Sequence, residues 1–198
     1  EVMMYRRALV VLSLIIAPLS VFGQAITDSD IKQLIEPKVQ TVRVLANSSI
    51  IVEAVRKQNG ENLSMSVIKQ RDQEWSGTKE LTPFKLSLQQ SKAGEFLKNR
   101  IATNPALNEG FLTDNQGANV ASYPATSDYW QGDEEKWTAS FNGGNGRVFI
   151  GKLEKDESTG TIATQVSAPV LDRGKTIGVL VMGIKINYFE AKKAGGSN

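Results

Sequence analysis

The sequence predicts an α+β fold, with helices first and an antiparallel sheet after them. Three observations carry this. Much of the chain from residue 31 to 102 repeats its apolar side chains at helical spacing, whereas residues 110–186 hold short β-rich runs parted by glycine turns. The two patterns hardly mix, and segregation of this kind lays a helix over one face of a sheet, here of about five strands.

The elements follow in order. Thr27-Asp28-Ser29-Asp30 offers capping side chains ahead of Ile31, Leu34, Ile35, Val39, Val42, Leu45 and Ala46, which share one helical face. Pro37 marks either a kink or the first turn of the main helix. Asn47-Ser48-Ser49 opens a short helix from Ile50 to Gln58 that stops at Asn59-Gly60, and Ser64 caps a third run to about Trp75. Residues 76–91 are ambiguous: Gly77, Thr78 and Pro83 suggest a loop, while Phe84, Leu86 and Leu88 alternate as in a short strand. Helical spacing returns from Ser91 to Ala102 and ends at Asn104-Pro105.

From Gly110 the pattern becomes strand, turn, strand, with Gly117 where a hairpin needs a positive φ. Asp114 reads as the turn residue whose carboxylate accepts backbone N–H bonds. Residues 127–140 read as a loop with a short helix, and Asn142-Gly143-Gly144-Asn145-Gly146 as a tight turn. Three β-rich runs follow, Arg147–Leu153, Thr161–Val170 and Thr176–Ile186, the last two joined by a turn with glycine at 174. The Gly143–Gly146 cluster lacks the Lys-Ser/Thr of a phosphate loop.

Two absences narrow the chemistry. The 198 residues contain no cysteine and no histidine. That removes thiol nucleophiles, disulfides, Cys zinc sites, the Ser-His-Asp triad and the commonest general base. The expectation is a non-enzyme without cofactor; a carboxylate-only hydrolase stays as a remote alternative. With 23 Lys+Arg against 21 Asp+Glu and no basic cluster, nucleic acid is not an expected partner.

Met3-Met4-Tyr5-Arg6-Arg7 precedes an apolar stretch from Ala8 to Phe22, and Gly23-Gln24-Ala25 supplies small residues for a peptidase. Residues 1–25 therefore read as a signal peptide, 26–190 as one domain and 191–198 as a disordered tail. The stretch is shorter than the ~20 apolar residues of a membrane-spanning helix. The expected location is the periplasm, with no membrane span after cleavage; an uncleaved N-terminal anchor is the alternative.

Phe111-Leu112-Thr113-Asp114-Asn115-Gln116-Gly117-Ala118-Asn119-Val120-Ala121, then Thr126–Glu134, Trp137, Asp156–Thr159, Gln165–Val170 and Ile177–Leu180, together resemble the periplasmic sensor domains called PDC or Cache domains. The resemblance spans about residues 95–186. It implies a PAS-like fold, a long N-terminal helix packed on a central antiparallel sheet. It also implies a pocket between the sheet and the segment that crosses it, for a small extracellular ligand such as an amine, amino acid or carboxylate. Relatives join that domain to a kinase, chemoreceptor or cyclase; after Ile186 this sequence shows neither a second apolar span nor an effector. The implied partner is a separate membrane-bound signalling protein. A ligand-free interaction module on the same fold is the alternative.

Seven residues are candidates for ligand contact. Tyr129, Trp130 and Trp137 could offer ring faces to a cationic amine, or pack a loop onto the sheet. Asp128 and Asp133, with Glu134 beside them, could hold an ammonium group or cap the loop. By resemblance, Asp156 stands where relatives place an acid against a ligand amine. Gln131-Gly132 stands where they carry an arginine for the ligand carboxylate; Arg147 could replace it or point to solvent.

Overall fold

The computed structural model describes residues 28–156 and 161–187; the expected signal segment and tail lie outside the described residues. Five helices come first: α1 (Asp28–Ala46), α2 (Ser49–Gly60), α3 (Met65–Ser76), α4 (Pro83–Gln90) and α5 (Lys92–Thr103). Then come β1 (Leu107–Thr113), β2 (Asn119–Tyr123), α6 (Glu135–Phe141), β3 (Phe149–Ile150), β4 (Glu154–Asp156), β5 (Thr161–Asp172) and β6 (Lys175–Asn187). The sheet order is β2-β1-β6-β5, with β3 and β4 sharing the far side of β5. Six strands thus fill five lateral positions, all antiparallel. The α+β plan and the helix-on-sheet layering agree with the expectation.

Two local readings change. The alternation of Phe84, Leu86 and Leu88 is not a strand but part of α4. Thr82 accepts a hydrogen bond from the Lys85 N–H and Pro83 fills the first turn, a start signal stronger than a period-two pattern over five residues. The run Arg147–Leu153 gives only two-residue β3 before the chain bends at Gly151, whose N–H donates to the Gln165 carbonyl at 2.8 Å. Pro37 sits inside a continuous α1. The β5–β6 hairpin turns at Arg173 and Gly174, both left-handed with φ +50° and +78°, as a two-residue turn of this hand requires.

Strand β6 lies between β1 and β5, and its side chains alternate. Leu180, Met182, Ile184 and Ile186 face the main core with Leu112 and Val166, under Ile35, Val39 and Val42 of α1, Ile51 and Val55 of α2 and Leu97 of α5. Val179 and Val181 face the other way with Phe111, under Trp137 and Phe141. A third cluster gathers Ile68, Trp75, Ala118 and Tyr129 beside Phe84.

No described helix is long and apolar enough to cross a membrane. Because Leu112 is wholly buried at the centre of the main core, Leu112→Ala is expected to cost about 3 kcal/mol in urea unfolding, by lost transfer energy plus a cavity. A cost below about 1 kcal/mol would contradict the packing described.

Candidate functional site

The face of the sheet opposite α1 is only partly covered. Short α6 covers Phe111, Val179 and Val181, and beyond its first turn the face opens into a cleft of about 390 Å³. That volume is in the range of small-molecule sites. Its floor is one cross-strand row, Glu109 of β1, Gly183 of β6 and Gln165 of β5. Its walls are the first turn of α6 (Glu135, Lys136) with Glu134 before it, and the β3–β4 edge with Phe149, Lys152 and Glu154.

Gly183 gives the floor its shape. A Cβ there would stand 2.5 Å from Glu109 Cγ and 2.3 Å from Asn108 Oδ1, so both side chains rest in the space that a larger residue would take. Over the bare backbone Glu109 reaches across β6, and Gln165 Nε2 donates to Glu109 Oε1 at 2.8 Å. The bond fixes one carboxylate oxygen in the middle of the floor. Glu109, Glu134, Glu135 and Glu154 outnumber Lys136 and Lys152 around the cleft. Lys136 is partly spent: it lies 3.9 Å from Glu134 and 5.5 Å over the Phe111 ring. The cleft is acidic, with one aligned acceptor at its base, and this chemistry suits a cation.

The sequence candidates are distributed differently: Glu134, named with Asp128 and Asp133, lines the cleft, whereas Asp128, Tyr129, Trp130, Asp133, Trp137 and Arg147 do not. Tyr129 is wholly buried in the aromatic cluster, 5.8 Å from Trp75 and 5.3 Å from Phe84 between ring centroids. Burial pushes its hydroxyl pKa up, opposed by Arg71, whose Nη1 donates to it at 3.5 Å. Trp130 is capped by the protein's own cation, Lys69 Nζ at 3.1 Å from the ring centroid, and its indole N–H donates to the Gln116 carbonyl. Asp128 accepts from Gln131 Nε2 at 2.6 Å and from the Ser127 hydroxyl. Asp133 is exposed. Trp137 stacks on Phe141 at 4.7 Å and packs against the sheet one row in from the cleft. Arg147 is exposed, its Nε donating to the Ala139 carbonyl at 2.8 Å. Asp156 ends β4 opposite Thr161.

Residues 126–131 are tied into the fold by their bonds. Asp72 Oδ1 of α3 accepts both the Tyr129 and Trp130 N–H groups at 2.9 Å. Asn119 N–H donates to the Tyr129 carbonyl and Gln131 N–H to Gly117. Trp75 Nε1 and Asn119 Nδ2 both donate to Thr126. The segment is bolted to α3 and to the β1–β2 hairpin, and so holds the start of α6 in place. Asp72 carried no sequence signal; Gln165 opens one of the runs that resemble sensor domains, while Glu109 and Gly183 carried a signal only through strand alternation, which places all three on one face once the register is known.

Asp114 is the buried polar centre of the hairpin, 2 % exposed. Its Oδ1 accepts from Gln116 N at 2.8 Å and Ala118 N at 2.9 Å, and its Oδ2 from Gln58 Nε2 at 2.9 Å. Burial outweighs those donors and holds its pKa above the ordinary 3.8.

No family model matches the chain, and no curated protein matches it in sequence. Solved structures match it in structure at low identity. The sensor domain of the Vibrio cholerae histidine kinase DctB is 13 % identical with a TM-score of 0.46, over 86 % of this chain and 55 % of that one. The Escherichia coli DcuS sensor domain is 16 % identical with a TM-score of 0.47, over 84 % of this chain and 97 % of that one. The ligand-binding domain of the Pseudomonas aeruginosa amino-acid chemoreceptor PctC, solved with GABA, is 11 % identical with a TM-score of 0.40, over 83 % and 63 %. The chain spans about half the length of the DctB domain.

The raised pKa of Asp114 gives a pH dependence of stability. A group whose folded pKa exceeds its unfolded value of 3.8 contributes stability that is full below 3.8 and is lost as pH rises through the folded pKa. The stability of the native chain minus that of Asp114→Asn, measured by denaturant titration from pH 3 to 7, is therefore expected to fall with rising pH. Asp172, whose pKa Arg56 lowers by a 2.8 Å hydrogen-bonded pair, acts in the opposite sense but equally in both proteins. A difference that rises with pH would show that the three N–H donors outweigh burial.

Proposed function

We propose that this domain is an exported, non-catalytic sensor module that binds a small organic cation, an amine, in the cleft between α6 and the sheet. The observation that carries the reading is the Glu109 carboxylate, laid across Gly183 and oriented by Gln165 at the floor of an acidic hollow of small-molecule size. A charge-assisted hydrogen bond from an ammonium group to an acceptor already aligned loses little in ordering the protein. Trp137 packs one row in from this site and Asp133 precedes Glu134 of its wall, while Tyr129, Trp130 and Asp128 hold the segment that carries the wall. Arg147 and Asp156 take no part in the reading.

The resemblance of residues 95–186 to periplasmic sensor domains supports the sensor role, and the signal-like residues 1–25 support work outside the cytoplasm. The receiving partner is a separate membrane-bound signalling protein. Ligand bound between Glu109 and the first turn of α6 would pull on a wall whose other end is fastened through Asp72 to α3, so occupancy is felt at the helical layer.

Calorimetric titration with n-pentylamine and with pentanoate tests the reading. The amine is expected to bind, pentanoate is not, and Glu109→Gln is expected to weaken amine binding by about tenfold while leaving the melting temperature within a few degrees. Binding of pentanoate in place of the amine, or amine binding indifferent to Glu109→Gln, would overturn it.

A further inference from the structure

Next to the floor row lies a second cross-strand row on the same face: Ser122, Phe111, Val181, Ser167 and Phe149. Its centre is apolar and covered by Trp137 and Phe141. On either side of that centre sits a serine. Ser122 and Ser167 are wholly buried, and neither hydroxyl has a hydrogen-bond partner among the described residues. Alanine would fill either position without leaving a desolvated hydroxyl, so orphans here need a reason. For Ser167 the reason is its place. Its cross-strand neighbour Phe149 lines the cleft, and Gln165, two residues along the strand, forms the cleft floor.

We infer that Ser167 is the inner contact of the ligand site, reached when Phe149 turns aside. The inference rests on the amine reading above and extends it. A ligand with its ammonium group on Glu109 sets a hydrogen-bonding group on the Ser167 hydroxyl, which supplies a partner that no described protein group gives it. Ser167 stands two residues, about 7 Å, along β5 from Gln165, whose amide holds the Glu109 carboxylate at 2.8 Å, so the ligand class is a short linear amine with a hydroxyl, or a like polar group, about four carbons from its nitrogen. An amine ending in a methyl group leaves the serine unpaired.

The isosteric pair 4-amino-1-butanol and n-pentylamine tests this on the full chain by calorimetry. The native chain is expected to favour the amino alcohol by about fivefold, the effect of one net hydrogen bond. Ser167→Ala is expected to bring the two within about twofold by weakening only the amino alcohol, and to keep or raise the melting temperature, since an orphan is removed. If n-pentylamine binds but the native chain shows no preference, or the preference survives Ser167→Ala, the role of Ser167 is wrong and the cleft reading stands. If neither compound binds, the cleft reading itself fails and Ser167 with it.

Discussion

The alternation of side chains along β6 is the constraint on which the rest depends. As the strand between β1 and β5, β6 must serve both faces, and it does so with one residue in two. Leu180, Met182, Ile184 and Ile186 hold the helical layer, while Val179 and Val181 give α6 its seat. The next residue on the α6 side is Gly183, where the side-chain row is interrupted before Lys185. A slip of one position would put the core residues in solvent and close the hollow together. Fold and cleft are thus set by the same register.

The second requirement is a firm wall. A seven-residue helix has little stability of its own, so α6 relies on what holds its two ends. Before it, the segment 126–131 is tied by backbone bonds to the hairpin and by Asp72 to α3. After it, Ser140 and Arg147 exchange hydrogen bonds, with the Ser140 hydroxyl donating to the Arg147 carbonyl at 2.8 Å. Gly117 permits the close approach: a Cβ there would stand 2.5 Å from Gly132 Cα, and its φ of +85° is one that side chains resist. The aromatic residues of this segment spend their surfaces inward, Tyr129 in a buried cluster and Trp130 under Lys69.

The layering was legible in the sequence because it rests on local periodicity. Ile35, Val39 and Val42 repeat at helical spacing, Ser64 precedes α3 as a cap, and Gly117 and Gly174 mark the two hairpins. Helix α4 was not, since Phe84, Leu86 and Leu88 fit either period and the Thr82-Pro83 start had to decide. The cleft was less legible still. Tyr129 and Trp130 drew notice as rings in a polar stretch, yet sequence alone cannot tell a ring offered to a ligand from one packed on Trp75 or covered by a lysine. Glu109 and Gln165 stand 56 positions apart and meet only through β6, so their pairing depends on a register that no short motif records.

Backbone amide NMR of the isotopically labelled chain, titrated with n-pentylamine, reads the central claim most directly. The account predicts shifts concentrated at Glu109, Gln165, Gly183 and the first turn of α6. Shifts concentrated instead at Tyr129, Trp130 and Gln131, with the cleft floor silent, would contradict it.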